Sequence, residues 1–181
     1  MIGEVRKKIS ETDETLRTLL VKRMELSVEV ARCKREMGED SVYRPEREAE
    51  ILQAGSASVE PGQREAYTAS MRGIMAASRM LQYDRMALWH GEGVDALLQG
   101  LPEGAKGVKV RMRTDFRALS VFLFTAGARG VKVTKANLEG GVCDLTLVGD
   151  PASASFRALL YQMAKESEGL SVTGAVFDDP Q

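Results

Sequence analysis

Two cations near the start of the chain interrupt a row of residues that is otherwise suited to packing. The segment from Glu4 to Met37 contains neither Pro nor Gly, and its apolar residues recur three and four positions apart, which predicts one long helix. Arg23 and Lys34 fall on the row that this spacing forms. Because an unpaired buried charge is strongly destabilising, we expect both cations to lie beside carboxylates or at a hydrated cavity. The row consists of Ile9, Asp13, Leu16, Leu20, Arg23, Ser27, Val30, Lys34 and Met37.

The spacing of these cations suits the binding of a small dianion. Arg23 and Lys34 are eleven residues apart, which is about 20° of rotation and roughly 16 Å of rise, so their long side chains can converge on one space. Arg6 lies seventeen residues before Arg23, roughly 25 Å along the axis and about 100° around it, and reaches that space only from a partner chain. A second interpretation stays open, in which Arg23 and Lys34 extend from the edge of an apolar face into water.

Two neutral polar groups share one face of a later predicted helix. Ser78 and Gln82 are four residues apart and are flanked by Ile74, Met75 and Leu81. A hydroxyl and an amide on such a face can hydrogen bond to a ligand. Taken singly, each such residue is more often a polar group satisfied within the protein than a ligand-binding one.

Three helices, long, short and long, must position these residues within residues 1–90. After the first helix, Pro45 stands where the first turn of a second helix tolerates a missing backbone donor, and Gly55 begins the segment that ends this helix. Pro61 can open a third helix, which runs to Trp89. The chain up to residue 90 is therefore predicted to be an all-helical domain.

The character of the chain changes after the third helix. Residues 91–107 are rich in Gly and Pro, which predicts a linker with room for one helical turn at 94–98. Residues 108–181 then combine segments of alternating polarity with two helical segments, in the order βαββαβ. This order predicts a ferredoxin-like sandwich, an antiparallel sheet with both helices on one face, so the fold class is α plus α/β in two domains. The predicted segments are strands at 108–114, 131–134, 142–148 and 170–176 and helices at 116–126 and 152–167.

Composition excludes several classes of function. Lys and Arg number 25 and Asp and Glu 26, so no global field attracts nucleic acid or an anionic membrane surface. No apolar run approaches the roughly 18 residues that span a bilayer, and we expect a soluble cytoplasmic protein. Cys33 and Cys143 lack the paired spacing of a zinc site, and the single His90 is better interpreted as a helix C-terminal residue than as a base.

The N-terminal residues closely resemble the all-helical class of chorismate mutases. The first helix of that class reads much like VRKKISETDETLRTLLVKRMELSVEVARCK at residues 5–34, and the second opens like VYRPEREAEIL at 42–52. The resemblance covers about 90 residues and implies an isomerase of phenylalanine and tyrosine biosynthesis that converts chorismate to prephenate without cofactor or metal. Its substrate-binding set corresponds to Arg6, Arg23, Lys34, Arg47, Glu48, Ser78 and Gln82. One residue departs from the family, since Arg44 stands where an Asp is common.

The resemblance also implies a role for each of these residues. Lys34 and Gln82 donate to the ether oxygen of the substrate and Glu48 accepts from its ring hydroxyl, so these three form the catalytic set. Arg23 and Ser78 bind the substrate carboxylates, and Arg47 supports orientation and charge balance. The family forms an interlocked homodimer in which each site borrows one Arg from the neighbouring subunit, which agrees with the reach argued for Arg6.

The second domain resembles an ACT domain, an amino-acid-sensing module. Phenylalanine-sensing members carry a Gly-Ala-Leu turn and a Glu-Ser-Arg-Pro segment, whereas this chain has Arg117-Ala118-Leu119 and Asn137-Leu138-Glu139-Gly140. Feedback by an aromatic amino acid effector is therefore a hypothesis beside a purely structural or dimerising role. Two rival functions stay open: a non-catalytic metabolite-sensing protein that regulates a partner enzyme, and a helical dimerisation module.

Overall fold

The helical part of the computed structural model, which describes residues 1–177, follows the predicted long, short and long order. Helix α2 includes Gly55 instead of ending before it, because the missing side chain leaves room for the Tyr67 ring of the third helix. Pro61 opens a single 3-10 turn, Pro61–Gln63, before the third helix starts. The helices are α1 (Ile2–Glu36), α2 (Pro45–Ala57) and α3 (Arg64–Trp89).

Helices α1 and α3 run side by side in the same direction. Near the middle of α1, Arg23 contacts Ser78 of α3, and near its end Arg35 lies over the Trp89 ring, 4.7 Å from the centroid. Only the second half of α1 is covered in this way, and residues 1–19 are all exposed. That exposed segment is about 28 Å of helix.

The predicted linker contains a fourth helix, α4 (Glu92–Leu98). The side chain of Val94 is almost fully buried, and Asp95 forms an ion pair with Arg157 of the second half of the chain. Burial of this turn explains why a Gly-rich segment is ordered here. One hydrophobic core runs from Ala31 through Val94 to Met163, so the domain division at residues 90 and 107 stays a prediction.

The C-terminal half confirms the predicted βαββαβ order. Its four-stranded sheet has the order β2-β3-β1-β4, and every neighbouring pair is antiparallel. Gly140 and Gly141 both have positive φ and form the tight β2–β3 turn, a conformation that favours glycine. The elements are β1 (Gly107–Arg113), α5 (Phe116–Ala128), β2 (Lys132–Glu139), β3 (Val142–Val148), α6 (Ala154–Glu166) and β4 (Glu168–Val176).

Alternation along β1 and β3 explains which face of the sheet carries the helices. Val110 and Leu145 point to the buried face and pack in one cluster with Phe122 of α5 and Phe156 of α6. Arg111 points to the opposite face, where it pairs with Asp144 in the neighbouring strand. The sandwich predicted from the element order is therefore the observed fold.

The sandwich is docked on α3 by buried polar contacts as well as by apolar ones. Arg129, which follows α5, has a side chain only 3% exposed. Its guanidinium donates to Asp84 Oδ1 at 2.9 Å, to the Met80 carbonyl at 3.2 Å and to Gln162 Oε1 at 3.1 Å. Burial lowers the pKa of Arg129, and the Asp84 carboxylate opposes that effect. These bonds hold α3, α5 and α6 together.

Along residues 1–177, no helix has both the length and the apolar character needed to cross a bilayer.

Candidate active site

Arg23 and Ser78 meet where α1 and α3 are in contact. Arg23 Nη1 donates to Ser78 Oγ and, at 3.5 Å, to the Ile74 carbonyl. Ser78 Oγ in turn donates to the same carbonyl at 2.9 Å. Beside this pair lies a cavity of about 170 Å³ with largely apolar walls, lined also by Leu20 and Met24. The cation on the packing row is thus partly buried and hydrogen bonded, and it does not extend into bulk solvent.

Gln82 lies one turn beyond Ser78 on the same buried face of α3. Its Nε2 donates to the Ser78 carbonyl at 3.4 Å, while Oε1 is buried without a hydrogen-bond partner among residues 1–177. A half turn of the amide exchanges the two atoms, so this position can offer either a donor or an acceptor. Gln82 therefore carries unused hydrogen-bonding capacity in a buried place.

Lys34 is buried at the end of α1, with 8% of the residue exposed. Its Nζ donates to the carbonyls of Ser41 at 2.9 Å and Val42 at 3.0 Å, in the connection between α1 and α2. Burial is the largest cause of a lowered pKa for Lys34, nearby Arg44 lowers it further, and Glu39 opposes both. An ammonium has three N–H groups, and two of them have partners here.

Glu48 of α2 is partly buried and pairs with Arg79. Glu48 Oε1 and Arg79 Nε are 3.0 Å apart with side chains 15% and 8% exposed, although the N–H does not point at that oxygen. Arg79 also lies over the Tyr43 ring, 4.3 Å from its centroid. Arg79 Nη1 donates to Glu166 Oε2 of α6 at 3.0 Å. Burial raises the pKa of Glu166, and the Arg79 charge opposes this shift.

Arg79 is the residue that the sequence analysis missed. It belongs to the buried face of α3 together with Met75, Gln82 and Met86. A cation within an otherwise packed face is the signal that singled out Arg23 and Lys34 on α1. The same criterion applied to α3 would have found Arg79.

Two residues of the predicted set lie outside this group. Arg47 is on the solvent side of α2, 70% exposed, and pairs with Glu50 at 3.0 Å. Arg6 lies on the exposed first half of α1, far from Arg23 along the same helix. The structure thus brings Arg23, Ser78 and Gln82 together and joins Glu48 to α3 through Arg79. It gives Lys34 separate partners in the α1–α2 connection and leaves Arg6 and Arg47 outside.

A larger cavity of about 700 Å³ lies between the helices and the sandwich. Its walls come from the start of α2, from α3, from the β1–α5 connection and from the α6–β4 junction. Both charge signs line it, and the Thr114 hydroxyl in its wall is buried without a partner within residues 1–177. Its polar lining includes Tyr43, Arg79, Arg113, Arg117, Lys165 and Glu166.

The chemistry that this arrangement supports is electrostatic. The Arg23 guanidinium and the Ser78 hydroxyl lie at the contact between α1 and α3, with the Gln82 amide one turn away, while the Lys34 ammonium lies at the end of α1 and the Glu48 carboxylate on α2. Such a set can bind carboxylates and stabilise charge on an oxygen by donors that are already in place. No activated nucleophile is needed for either task.

Comparison with known proteins finds a family for the helical part of the chain. Residues 5–83 match the family described as chorismate mutase type II, and that range contains every residue of the predicted site. No curated protein and no solved structure matches the chain. Residues 5–83 therefore form a chorismate mutase type II domain, which is followed by a C-terminal α/β sheet domain.

Proposed function

We propose that the chain is a chorismate mutase, an isomerase that converts chorismate to prephenate on the pathway to phenylalanine and tyrosine. The observation that carries this proposal is the partly buried contact of Arg23 with Ser78, whose carbonyl accepts from Gln82, inside the matched domain. The reaction breaks one carbon–oxygen bond and forms one carbon–carbon bond within a single molecule. It needs no proton transfer, so the polar groups described above suffice for it.

Binding of the two carboxylates selects the compact reactive conformer of the substrate. Arg23 offers its planar fork to one carboxylate, with Ser78 assisting, and Arg6 of the partner subunit binds the other. Holding the reacting carbons close together removes the entropy that a free chain would lose on reaching the transition state. Arg47 contributes to orientation and charge balance from α2.

Negative charge develops on the ether oxygen as its bond to carbon lengthens. Lys34 has one N–H beyond the two that bond to Ser41 and Val42, and with its amide oxygen and nitrogen exchanged Gln82 holds a buried N–H at the position where Oε1 has no partner among residues 1–177. Two donors fixed before the reaction stabilise that charge without reorganisation during it. Glu48 accepts from the ring hydroxyl and completes the catalytic set of Lys34, Gln82 and Glu48.

A homodimer is part of this proposal. The exposed first half of α1 carries the apolar side chains of Ile2, Val5, Ile9, Leu16 and Leu19. A second copy laid along this segment would cover them and bring its own Arg6 to the neighbouring pocket. This arrangement accounts for a cation that cannot reach Arg23 within its own helix.

The sheet domain is proposed to be ACT-like and to bind an aromatic amino acid effector. The cavity between the domains supports this, because a zwitterion needs both charge signs, and Arg113, Lys165 and Glu168 supply them. The alternative is a non-catalytic sensor that binds the effector and a partner enzyme. Binding of an amino acid without turnover of chorismate would favour that alternative.

The test is incubation of the pure full chain with chorismate, followed by ultraviolet absorbance, with and without phenylalanine or tyrosine. We expect first-order loss of chorismate that Lys22→Met preserves and Arg23→Met slows. Lys22 is an exposed cation one residue from Arg23 and serves as the matched control. A folded wild-type chain that leaves chorismate unchanged would refute the proposal, and slower turnover with either amino acid would support the regulatory role.

A further inference from the structure

We propose that Arg79 positions Glu48, and that Glu166 of the sheet domain holds Arg79 in place, so that the sheet domain completes the mutase pocket. This inference rests on the proposed function, because it concerns how the acceptor for the ring hydroxyl is held. Glu166 is 87 residues away from Arg79 in sequence and belongs to a different part of the fold. The two positions meet where the end of α6 packs against α3.

The guanidinium of Arg79 has a carboxylate at two of its nitrogens and an aromatic ring on one face. Its Nε is 3.0 Å from Glu48, its Nη1 donates to Glu166 at 3.0 Å, and its face lies on the Tyr43 ring. A planar fork with two carboxylates on its edge and an aromatic ring on its face has one orientation. Movement at Glu166 is therefore transmitted to the edge that contacts Glu48.

Glu48 depends on this contact for its position. Within residues 1–177, Arg79 is the one cation that forms an ion pair with the Glu48 carboxylate, through Oε1. The other oxygen is left to accept from a substrate hydroxyl. An acceptor held from one side only loses its alignment when its single partner moves, and catalysis is sensitive to displacements of about 1 Å.

Burial explains why water cannot take the place of the Glu166 carboxylate as the partner of Arg79. The Glu166 side chain is 1% exposed and Arg79 is 8% exposed. If the carboxylate is removed, the buried guanidinium has Glu48 as its only remaining anionic partner and turns toward it. Glu48 is then drawn into a closer pair and is withdrawn from the substrate.

A purely structural role for Arg79 and Glu166 is the competing explanation, and the chain provides a matched control for it. Arg129 is buried to a similar depth and also joins the sheet domain to α3, through Asp84 and the Met80 carbonyl. Arg129 contacts neither Glu48 nor Arg79, and it acts on Glu166 only through its charge and through Gln162. Loss of Arg129 therefore weakens the docking of the two parts while the contacts of Arg79 with Glu48 and Glu166 remain.

The experiment compares Glu166→Gln with Arg129→Met in the full chain, each measured for kcat and KM with chorismate. We expect Glu166→Gln to lower kcat about tenfold, while Arg129→Met changes kcat by less than about twofold. In a Glu48→Gln background, adding Glu166→Gln should lower kcat no further, because the residue through which it acts is gone. Equal losses in the two single variants, or a full additional loss in the double variant, would overturn the proposal.

Two further measurements keep the test decisive. If Glu166→Gln does not fold, Arg79→Lys replaces it, since it keeps the charge and loses the fork, and the same loss of kcat is expected. If wild-type chain does not turn over chorismate, the proposed function fails, and hydrogen exchange then tests the coupling alone. Faster exchange of the α2 amides in Glu166→Gln than in Arg129→Met would support the coupling, and equal exchange would contradict it.

Discussion

Replacement of Lys34 by Met separates its two tasks, which are holding the α1–α2 connection and donating to the substrate. Met has a similar length and shape and removes only the charge and its three N–H groups. Two of those groups bond to the Ser41 and Val42 carbonyls, and the third is the proposed donor to the ether oxygen.

The structure sets the size of each effect. A hydrogen bond from a charged donor contributes about 1.5–3 kcal/mol, so two such bonds favour the wild-type fold. The cost of burying the ammonium, visible as its lowered pKa, works in the opposite direction. The free energy of unfolding should therefore fall by no more than about 3 kcal/mol. Loss of one preorganised donor at a developing oxyanion costs roughly 3–4 kcal/mol in the activation free energy, or about 10²–10³ in kcat.

The assay is chorismate turnover at saturating substrate, paired with denaturant unfolding of the same samples. Lys22→Met, on the exposed side of the same helix, should retain wild-type kcat. Lys34→Met should lose at least tenfold in kcat while it remains folded. Equal kcat in the two variants would refute the assignment of Lys34 and return it to the role of a structural cation.

Three further predictions address other parts of the site. Burial and the nearby Arg44 charge lower the pKa of Lys34, so activity should be flat from about pH 6 to 8 and should be lost as the pH rises, before it reaches the value of about 10.4 at which an ordinary Lys titrates. Arg44→Asp should raise that pKa and shift the alkaline limb of kcat to higher pH, and an unchanged limb would count against Lys34 as the titrating donor. Arg23→Lys should raise KM about tenfold or more and Ser78→Ala by less, since an ammonium cannot form the forked contact; the reverse order would contradict the roles. Mixing inactive Arg6→Ala and Lys34→Met subunits should restore about a quarter of wild-type activity through hybrid dimers, whereas no recovery would argue against a shared site.

The order of elements was predictable from local patterns, because periodicity and turn residues act over a few positions. The three helices and the βαββαβ order were confirmed for that reason. The end of α2 was misplaced because Gly55 serves a contact with Tyr67, which no local rule contains. The helix α4 was underestimated in the same way, since the burial of Val94 depends on the second half of the chain.

The candidate site was predictable only in part. Arg23 and Lys34 stood out because charge on a packed row is unusual, and both are partly or fully buried in the structure. Arg79 showed the same signal on α3, but its partner Glu166 lies 87 residues away, and pairing at that distance has no sequence period. The position of Arg6 relative to the pocket depends on a second chain and stays a prediction.

The measurement that tests the central claim most directly is proton NMR of chorismate mixed with the purified wild-type chain. The account predicts stoichiometric appearance of prephenate as the one product, at a rate proportional to protein concentration and much reduced in Arg23→Met. Chorismate that persists at its uncatalysed rate beside a folded chain, or a product other than prephenate, would contradict it.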